Sequence, residues 1–431
     1  MKRRFEKVNQ WLDWQQTLHP LNIDFKLERI ISVYEKLNVS SIAKKVITVA
    51  GTNGKGSTVS FLESMLSNMN YNVGTFTSPH ILKYNERIKI NQKEIDDESL
   101  LDVFELIDKK RGSTTLTYFE FATLSAFYLF SKSNLDVAVL EVGLGGRLDA
   151  TNIIDSDISI ITSIGIDHTE FLGSTIDSIA LEKAGVMRPF KKSIFAQDKP
   201  PAALFQYAKN NSVNLLVHNN DYSVTRNAKT WGINSKNITI ENIPKLKMIG
   251  DYQYNYAAAS TMALAEILPE CISYDNQIKE ALCNTQIPGR FQYLKKSPDI
   301  ILDVAHNEDA AKSLARNINK IGYKKIIAVL GILADKDVYS IVEPFSSLIN
   351  HWHIGTIDSD RGMNSDEIKY RINSLFKNSL SVSTYSSISS AFISAINSQD
   401  QDTLILAYGS FYTVSEVLKS NIINVYKDDA I

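Results

Sequence analysis

Residues 46 to 57 have the sequence VITVAGTNGKGS, and apolar residues at helical spacing follow directly at Val59, Leu62 and Met65. The β-branched run at the start predicts a buried strand, and the apolar pattern predicts a helix. Glycines between them let backbone N–H groups close around phosphate oxygens, and a helix N-terminus adds partial positive charge. The stretch therefore predicts a phosphate-binding loop. The alternative is a glycine-rich strand-to-helix turn that binds no ligand.

Short β-branched runs alternate with helical patterns on the C-terminal side of this loop. Strands are predicted at Asp136–Glu141 and Ile158–Thr162, and helices at Glu98–Lys110, Phe119–Phe130 and Tyr252–Leu268. Such alternation predicts a parallel sheet that helices cover on both faces. The polar, Asn-rich stretch from 213 to 242 interrupts the pattern. We expect it to form a few antiparallel strands or an irregular insertion.

A second alternating series follows the turn signal Pro288-Gly289. Its predicted elements are strands at Ile300–Val304, Lys325–Gly331, His351–Thr356 and Thr403–Tyr408, with helices between them such as Asp309–Ile321. The domain boundary is placed at the turn, which gives domains 1–287 and 288–431. We predict an α/β fold, with an N-terminal phosphate-loop ATPase-type parallel-sheet domain and a smaller Rossmann-like α/β domain after it.

Composition excludes several classes of protein. The chain has 431 residues, 44% hydrophobic and 22% charged, which is typical of globular proteins and too long for one ordinary core. The net charge of -2 gives no general attraction to nucleic acid. No apolar run approaches the ~20 residues that span a bilayer. Cys271 and Cys283 are the only cysteines, so no disulfide framework is expected. We expect a cytoplasmic protein that binds neither nucleic acid nor membrane.

Three side chains carry the chemistry that phosphate and a divalent cation need. Lys55 can neutralise β- and γ-phosphates, and the Ser57 hydroxyl can ligate Mg²⁺. Glu141 ends a predicted strand at its carboxyl end, where ligand sites of open α/β sheets lie. A buried carboxylate is costly unless it is paired or metal-bound. Glu141 is therefore either a metal ligand or the partner of Arg147 in an ion pair.

The spacing of the loop is unusual, because Gly56 separates Lys55 from Ser57. In this it resembles the loop of the Mur-type amide ligases, and Gly-Lys-Gly-Ser points to their folate branch. Further blocks match that branch in order: LEVGLGGRLDATN at 140–152, IDHTEFLG at 166–173, EKAG at 182–185, PGR at 288–290, DVAHN at 303–307, DKD at 335–337 and GSF at 409–411. The resemblance covers nearly the whole chain.

Three more segments resemble the dihydropteroate-contacting segments of bacterial bifunctional dihydrofolate synthase/folylpolyglutamate synthases. They consist of Asp24, Phe25 and Lys26; of Thr117, Tyr118, Phe119 and Glu120; and of Leu148, Asp149 and Ala150. The resemblance implies that these residues bind the pteroate. On physical grounds alone, Tyr118 and Phe119 are equally well explained as core aromatics at a helix start.

The resemblance also implies roles for other residues. It assigns ATP binding to Gly54, Lys55, Gly56, Ser57, Asn255, Arg290 and Asp303, and Mg²⁺ binding to Ser57, Ser78, Glu141 and His168. It assigns catalytic roles to Lys55, Lys183 and His306, with Lys183 carbamylated. The residues alone leave other readings open: a polar contact for His168, an unmodified phosphate contact for Lys183, a surface position for Arg290, a strand-end cap for Asp303 and a loop position for His306.

Two departures from the family pattern bear on these roles. Asn255 stands one place early in the segment that resembles the adenine-contacting motif. Val304 and Glu308 replace the more usual glycine and proline around Ala305-His306-Asn307, which changes the loop but removes no reacting group.

The function that the resemblance implies is ATP-dependent addition of L-glutamate to dihydropteroate and to the γ-carboxylate of reduced folates, through an acyl phosphate. It implies two Mg²⁺ ions and a monomer, and leaves a monovalent cation open. The alternatives are a monofunctional folylpolyglutamate synthase and a Mur-type ligase with another acceptor. A phosphate-loop switch and a catalytically inactive binding module are more distant alternatives. The sequence shows no switch elements, and Lys55, Ser57, Glu141, His168 and Lys183 are all present.

Overall fold

The computed structural model describes residues 3–296, 299–398 and 402–420. The chain forms two compact units. The first consists of residues up to 247 together with 251–285, and the second of 248–250 together with the described residues from 286 onward. The chain therefore enters the second unit briefly before it returns to finish the first.

The first unit is built on an eight-stranded sheet in the order β4-β3-β2-β5-β1-β6-β7-β8 and a separate three-stranded sheet in the order β11-β10-β9. The strands are β1 (Lys45–Ala50), β2 (Val73–Phe76), β3 (Ile88–Ile90), β4 (Lys93–Glu94), β5 (Val137–Glu141), β6 (Ile158–Ile161), β7 (Lys192–Phe195), β8 (Asn214–Val217), β9 (Tyr222–Arg226), β10 (Thr230–Ser235) and β11 (Thr239–Pro244). Strands β2, β5, β1, β6, β7 and β8 are parallel, and β3 and β4 add to the β2 edge in antiparallel pairs.

Ten α-helices belong to the described part of the first unit. They are α1 (Val8–Thr17), α2 (Glu28–Leu37), α3 (Lys55–Asn68), α4 (Asp97–Arg111), α5 (Tyr118–Ser131), α6 (Thr169–Leu172), α7 (Ile176–Ala184), α8 (Ala202–Asn210), α9 (Asp251–Ile267) and α10 (Asp275–Asn284). Short 3₁₀ turns lie at Tyr84–Arg87, Ala150–Ile153 and Pro269–Tyr274. Helix α5 is apolar all round and fully buries Phe121, Phe127 and Phe130, as expected of a helix enclosed by the core.

The second unit contains a six-stranded sheet in the order β12-β13-β17-β14-β15-β16. Its strands are β12 (Gln292–Lys296), β13 (Asp299–Leu302), β14 (Lys325–Leu330), β15 (His351–Gly355), β16 (Val382–Tyr385) and β17 (Thr403–Tyr408). Its helices are α11 (Glu308–Ile321), α12 (Val338–Val342), α13 (Ser365–Leu375), α14 (Ile388–Asn397) and α15 (Phe411–Lys419), with a 3₁₀ turn at Glu343–Phe345. Only β12 pairs antiparallel among these described strands.

The predicted α/β fold class is confirmed, and one local prediction was partly wrong. The stretch from 213 to 242 forms antiparallel strands at β9, β10 and β11, but β8 pairs in parallel with β7 in the main sheet. The apolar residues Leu215, Leu216 and Val217 form a run too short to show a period of its own. Val217 pairs with Phe195 of β7, and both side chains are buried in one core cluster. Among the residues described, no helix is both long and apolar enough to cross a membrane.

Candidate active site

The predicted phosphate loop connects the end of β1 to the first residue of α3, Lys55. Its backbone is held from the side by the residues that follow β6. The N–H of Thr52 donates to the carbonyl of Ser163 at 2.9 Å, and the N–H of Asn53 donates to the Ser163 hydroxyl at 2.9 Å. These bonds fix the shape of the loop without using the N–H groups at the start of α3.

Two loop glycines are required by their surroundings. A Cβ atom at Gly51 would lie 1.9 Å from the Thr162 hydroxyl oxygen, and one at Gly54 would lie 2.2 Å from the Tyr256 ring. Gly54 also has a φ of +88°, in the left-handed region that L residues avoid. Helix α9 therefore packs directly on the loop through Tyr256, and the half-buried Asn255 is the preceding residue of the same helix.

The Lys55 amine is folded over its own loop. Its Nζ atom donates to the carbonyls of Gly51 at 3.0 Å and Thr52 at 3.3 Å. Ser57 lies one residue beyond Gly56 in the first turn of α3 and is buried. The loop thus combines a helix N-terminus, a primary amine and a hydroxyl, which are the groups that bind a nucleotide phosphate and its metal ion.

Glu141 and Ser78 come together beside this helix. The Ser78 N–H donates to Oε2 of the buried Glu141 at 3.3 Å, and a Cβ atom at Gly56 would lie 3.9 Å from the same oxygen. Arg147, the ion-pair partner of Glu141 that the sequence left open, has its guanidinium 2.8 Å from Glu182. The Glu141 carboxylate therefore faces the start of the phosphate-loop helix, where a divalent cation would meet it.

Lys183 lies at the end of α7 and is 3% exposed. Burial, and then repulsion from the Lys55 ammonium, lower the pKa of the Lys183 amine to about 7, against the attraction of Asp167 and Asp149. This places Lys183 electrostatically close to the phosphate loop. Asp167, which the sequence analysis did not single out, is half-buried in this cluster, with a side chain that is 8% exposed. Its position directly before a candidate metal-binding histidine is the feature of the sequence that could have identified it.

His168 precedes α6 and has a φ of +51°. Its backbone N–H donates to Asp167 Oδ1 at 2.8 Å, and its ring Nε2 lies 3.9 Å from Asp167 Oδ2. In the described part of the chain, no group of three or more His, Cys, Asp and Glu side chains is arranged to hold a metal. The oxygens of Ser57, Ser78 and Glu141 nevertheless suit Mg²⁺, which prefers hard oxygen donors and keeps several waters.

The first predicted pteroate segment lies before α2. Asp24 Oδ2 lies 2.6 Å from Arg29 Nη1 and 3.3 Å from His19 Nε2, and Asp24 Oδ1 accepts from the Lys26 N–H at 3.1 Å. The ring of Phe25 meets that of Phe171 edge-on at 5.9 Å. This segment is therefore connected to the block that contains His168, and Lys26 has an exposed side chain.

The second predicted segment begins α5. Thr117 and Glu120 form a capping box, with the Thr117 N–H donating to Glu120 Oε2 at 2.7 Å and the Glu120 N–H donating to the Thr117 hydroxyl at 3.2 Å. Tyr118 and Phe119 are half-buried at the start of the helix. A Cβ atom at Gly143 would lie 2.6 Å from the Phe119 ring, so this segment packs on the chain that follows β5.

The third segment turns around Asp149. Its Oδ1 accepts from the N–H and hydroxyl of Thr151 at 2.9 and 2.6 Å, and its Oδ2 accepts from the N–H groups of Gly143 and Leu144 at 3.0 Å each. Burial raises the pKa of this carboxyl group. Both oxygens thus serve the loop itself. Leu148 is half-buried beside Asp149, and Ala150 is part of the core.

The second unit brings together three of the predicted site residues. Asp303 is buried at the end of β13, where its oxygens accept from the N–H groups of Phe291 and Ala305 at 2.8 Å each. Burial raises the pKa of its carboxyl group, while Arg290 and then His306 act electrostatically in the opposite direction. Asp303 makes the strand-end contacts that the residues alone left open, and it also lies close to the side chains of Arg290 and His306.

Arg290 and His306 share an aromatic neighbour. The Arg290 guanidinium lies 5.6 Å from the centre of the Phe411 ring, and the His306 ring lies 6.1 Å from it. His306 Nδ1 lies 2.8 Å from the carbonyl of Val304. The sequence blocks around 290, 303–307 and 409–411 thus meet in one cluster of this unit.

Family models match both units: the Mur ligase middle domain at residues 49–264, and the Mur ligase glutamate ligase domain at residues 289–411. The phosphate loop, the buried Lys183 and the carboxylates beside them lie inside the first match. Fold and site together define a phosphate-loop ligase of the Mur type.

Comparison with individual proteins narrows the class. The dihydrofolate synthase/folylpolyglutamate synthase of Haemophilus influenzae is 37% identical over 94% of this chain and 96% of its own length. The structure of Escherichia coli FolC in complex with DHPP and ADP has a TM-score of 0.91 at 33% identity, covering 99% of both chains. A bifunctional folylpolyglutamate synthase/dihydrofolate synthase with Mn, AMPPNP and L-glutamate bound has a TM-score of 0.88 at 34% identity, covering 97% and 98%. The chain belongs to the dihydrofolate synthase/folylpolyglutamate synthase family.

The family resemblance read from the sequence blocks and the predicted ligase class are confirmed by these matches. The roles predicted for individual residues remain predictions, to which the contacts above give a physical basis.

Proposed function

We propose that this chain uses ATP to add L-glutamate to 7,8-dihydropteroate, giving dihydrofolate, and to the γ-carboxylate of reduced folates, extending a polyglutamate tail. One observation carries the proposal: Ser78, Glu141 and the start of α3 come together at the carboxyl ends of the parallel strands. Three separate sequence blocks supply these groups, and each has a chemical use in activating a carboxylate.

A free carboxylate does not react with an amine, because oxide is a poor leaving group. Phosphorylation by ATP converts that oxide into phosphate, and the acyl phosphate is then open to the amine of glutamate. Lys55 and the N–H groups at the start of α3 stabilise the negative charge on the transferring phosphoryl group. Asn255, Arg290 and Asp303 contribute to ATP binding, and His306 acts where glutamate meets the acyl phosphate.

Two Mg²⁺ ions are proposed, held by Ser57, Ser78, Glu141 and His168. A divalent ion supplies positive charge that draws electrons from the phosphoryl oxygens. The related structure with Mn, AMPPNP and L-glutamate supports a divalent metal together with a nucleotide. A monovalent cation is a possible further cofactor in this proposal, and no residues are assigned to it.

Carbamylated Lys183 is part of the proposal. A buried amine with a pKa of about 7 is largely neutral at slightly alkaline pH, and the neutral amine is the form that adds carbon dioxide. The resulting carbamate is an anion beside Lys55, so carbamylation replaces a repulsive contact with an attractive one.

The acceptor is proposed to bind at Asp24, Phe25, Lys26, at Thr117 to Glu120 and at Leu148, Asp149 and Ala150. The aromatic rings of Phe25 and Phe119 are suited to a flat heterocycle, and Asp149 fixes the backbone of the loop beside them. The E. coli relative was solved with DHPP, which supports a pteroate at this family's site.

The protein is further proposed to act as a cytoplasmic monomer, with no nucleic-acid or membrane partner. Residues 1–287 are proposed to bind ATP and the pteroate or folate, and residues 288–431 to serve glutamate ligation.

One preparation of the purified protein tests the function. Phosphate release from ATP is expected only when glutamate and either dihydropteroate or tetrahydrofolate are both present. Incorporation of labelled glutamate into tetrahydrofolate but not dihydropteroate would leave the monofunctional folylpolyglutamate synthase. Rapid ATP hydrolysis without any acceptor would favour a phosphate-loop switch, and no turnover with any pteroate or folate would refute the proposal.

A further inference from the structure

Arg87 is a buried cation with no acidic partner among the described residues. The residue is 8% exposed, and its Nε donates to Nδ1 of His80 at 2.9 Å. Its guanidinium lies over the rings of Tyr84 and Tyr118, 5.6 and 5.4 Å from their centres. Across the described residues, its two terminal nitrogens make no hydrogen bond and no carboxylate lies within ion-pair distance of it. Buried charges are normally paired, so terminal N–H groups without a protein partner are available to bind an anion.

The acid next to Arg87 in the sequence makes its contacts elsewhere. Glu86 accepts hydrogen bonds from the backbone N–H groups of Ile81, Leu82 and Lys83, at 2.7 Å each. Its carboxylate therefore shapes the preceding loop and does not neutralise its neighbour Arg87.

Another arginine shows the usual solution to the same problem. Arg111 is also 8% exposed, and its Nε and Nη2 atoms lie 2.9 and 2.5 Å from Oδ1 of Asp108. The two arginines are equally buried, but only Arg111 has its counter-charge within the described chain. The guanidinium of Arg111 faces Asp108, whereas that of Arg87 faces the rings of Tyr84 and Tyr118.

Arg87 stands between a candidate metal residue and a candidate pteroate segment. Its backbone carbonyl accepts from the N–H of Thr77 at 2.9 Å, directly before Ser78. Its guanidinium covers Tyr118, the first residue of α5. The backbone of Arg87 is thus bonded next to a candidate metal residue, and its guanidinium lies on a candidate pteroate segment.

A tyrosine hydroxyl next to the Arg87 guanidinium is also available for a hydrogen bond. The hydroxyl of Tyr84 is buried and has no hydrogen-bond partner among the residues that the structure describes. Its ring meets that of Tyr118 edge-on at 5.9 Å. An unsatisfied buried hydroxyl costs about 1–3 kcal/mol, so such groups are usually completed by a ligand or by water.

We propose that Arg87 binds the carboxylate of the pteroate or folate acceptor and thereby selects an acidic acceptor over an uncharged one. The inference rests on the proposed function and adds to it the residue that recognises the reacting carboxylate group. The planar guanidinium is held by Tyr84 and Tyr118, which leaves its terminal N–H groups to form a bidentate contact with a carboxylate.

The test compares two ligands that differ only in this charge: dihydropteroate and its carboxamide. Wild-type protein is expected to bind dihydropteroate at least about tenfold more tightly than the carboxamide, as a charged bidentate contact implies. In Arg87→Gln this preference should fall below about threefold, with the affinity for the carboxamide unchanged. Arg87→Lys should keep an intermediate preference, because it retains charge but loses the bidentate geometry.

Arg111→Gln is the matched control, since it removes an equally buried arginine that has its own acid. It is expected to lower the melting temperature and to leave the preference for the carboxylate intact. Thermal unfolding and ADP binding report whether each variant is folded.

In turnover, Arg87→Gln should raise KM for dihydropteroate while KM for ATP and for glutamate change little. A folded Arg87→Gln that keeps the wild-type preference would overturn the inference. An increase confined to KM for ATP would overturn it as well, because the cation would then serve the phosphoryl group. Wild-type protein that binds neither pteroate would instead refute the proposed function itself.

Discussion

Arg29 Nη2 lies 3.0 Å from Oε1 of Glu120, although the two residues are 91 positions apart in the sequence. The same guanidinium lies 2.6 Å from Asp24. One cation therefore joins two of the segments predicted to bind the pteroate. The Glu120 side chain is 5% exposed, so removal of the arginine leaves a buried carboxylate without its counter-charge.

Arg29→Met is therefore expected to separate the two pteroate segments. KM for dihydropteroate should rise at least about tenfold, since breaking a partly buried charge pair costs about 2–5 kcal/mol. KM for ATP should stay close to the wild-type value. Arg371→Met is the control, because Arg371 and Glu367 form an exposed pair on α13. Equal effects of the two variants on dihydropteroate would contradict the prediction.

Gly54→Ala is expected to weaken nucleotide binding strongly, because the new Cβ atom would overlap the Tyr256 ring. Gly322→Ala separates this clash from backbone strain: Gly322 has a φ of +79°, and nothing lies within 4 Å of its Cβ position. Left-handed strain alone should cost the control about 1–2 kcal/mol of stability. ADP affinity, measured by calorimetry, should fall at least about a hundredfold in Gly54→Ala and stay unchanged in the control. Retained ADP binding in Gly54→Ala would show that Tyr256 can move aside.

Activity should depend on dissolved carbon dioxide through Lys183. After removal of carbon dioxide the enzyme is expected to lose activity, and bicarbonate should restore it. The reactive form is the neutral amine, and a pKa of about 7 makes it scarce at pH 6 and dominant at pH 8. At equal dissolved carbon dioxide, reactivation should therefore be about tenfold faster at pH 8 than at pH 6, from the titration of a single group. Full activity in carefully degassed buffer would argue for an unmodified lysine.

The second unit should lose stability in mild acid because of His353. Burial, and then the neighbouring His351, lower the pKa of the His353 ring from 6.5 to about 4. The unfolded chain then binds the proton more readily, so the contribution of His353 is complete above pH 6.5 and is lost as pH falls towards 4. The loss approaches about 3 kcal/mol at its limit. Denaturant unfolding at pH 7 and pH 4.5 should show a smaller difference for His353→Phe than for wild type.

The phenylalanine in this variant keeps a ring to stack on Tyr385, whose centre lies 5.3 Å from that of His353. His351→Phe serves as a comparison, because His351 contacts the hydroxyls of Ser381 and Ser383. An unchanged pH dependence in His353→Phe would assign the acid sensitivity to other groups.

Local patterns made the phosphate loop predictable. The strand before Gly51 and the helix that begins at Lys55 each follow from the pattern of neighbouring residues. The glycine pattern of the loop is also local and can be recognised without knowing any distant contact. Strand β8 was harder to predict, because its run is short and a polar stretch follows it. Its direction is set by pairing with β7, which no local period encodes.

Partners far apart in the sequence were not predictable. Nothing near residue 29 indicates that Arg29 meets Glu120. Likewise, nothing near residue 87 indicates whether a carboxylate lies within ion-pair distance of Arg87. Asp149 illustrates a different limit. Its place in a family block predicts contact with a ligand, while the structure shows four hydrogen bonds from the residues of its own loop. Residue type and spacing can identify such a carboxylate, but they do not show which hydrogen-bond donors its oxygens accept from.

The path of the chain through residues 248–250 has a consequence for synthesis. These residues belong to the second unit, and the half-buried Ile249 packs against its core. The ribosome synthesises these residues before helices α9 and α10, which complete the first unit. It also synthesises them well before the strands of the second unit, to which they belong. A nascent chain thus presents Ile249 to solvent until the last unit emerges. A fragment that starts at residue 286 would lack this side chain permanently.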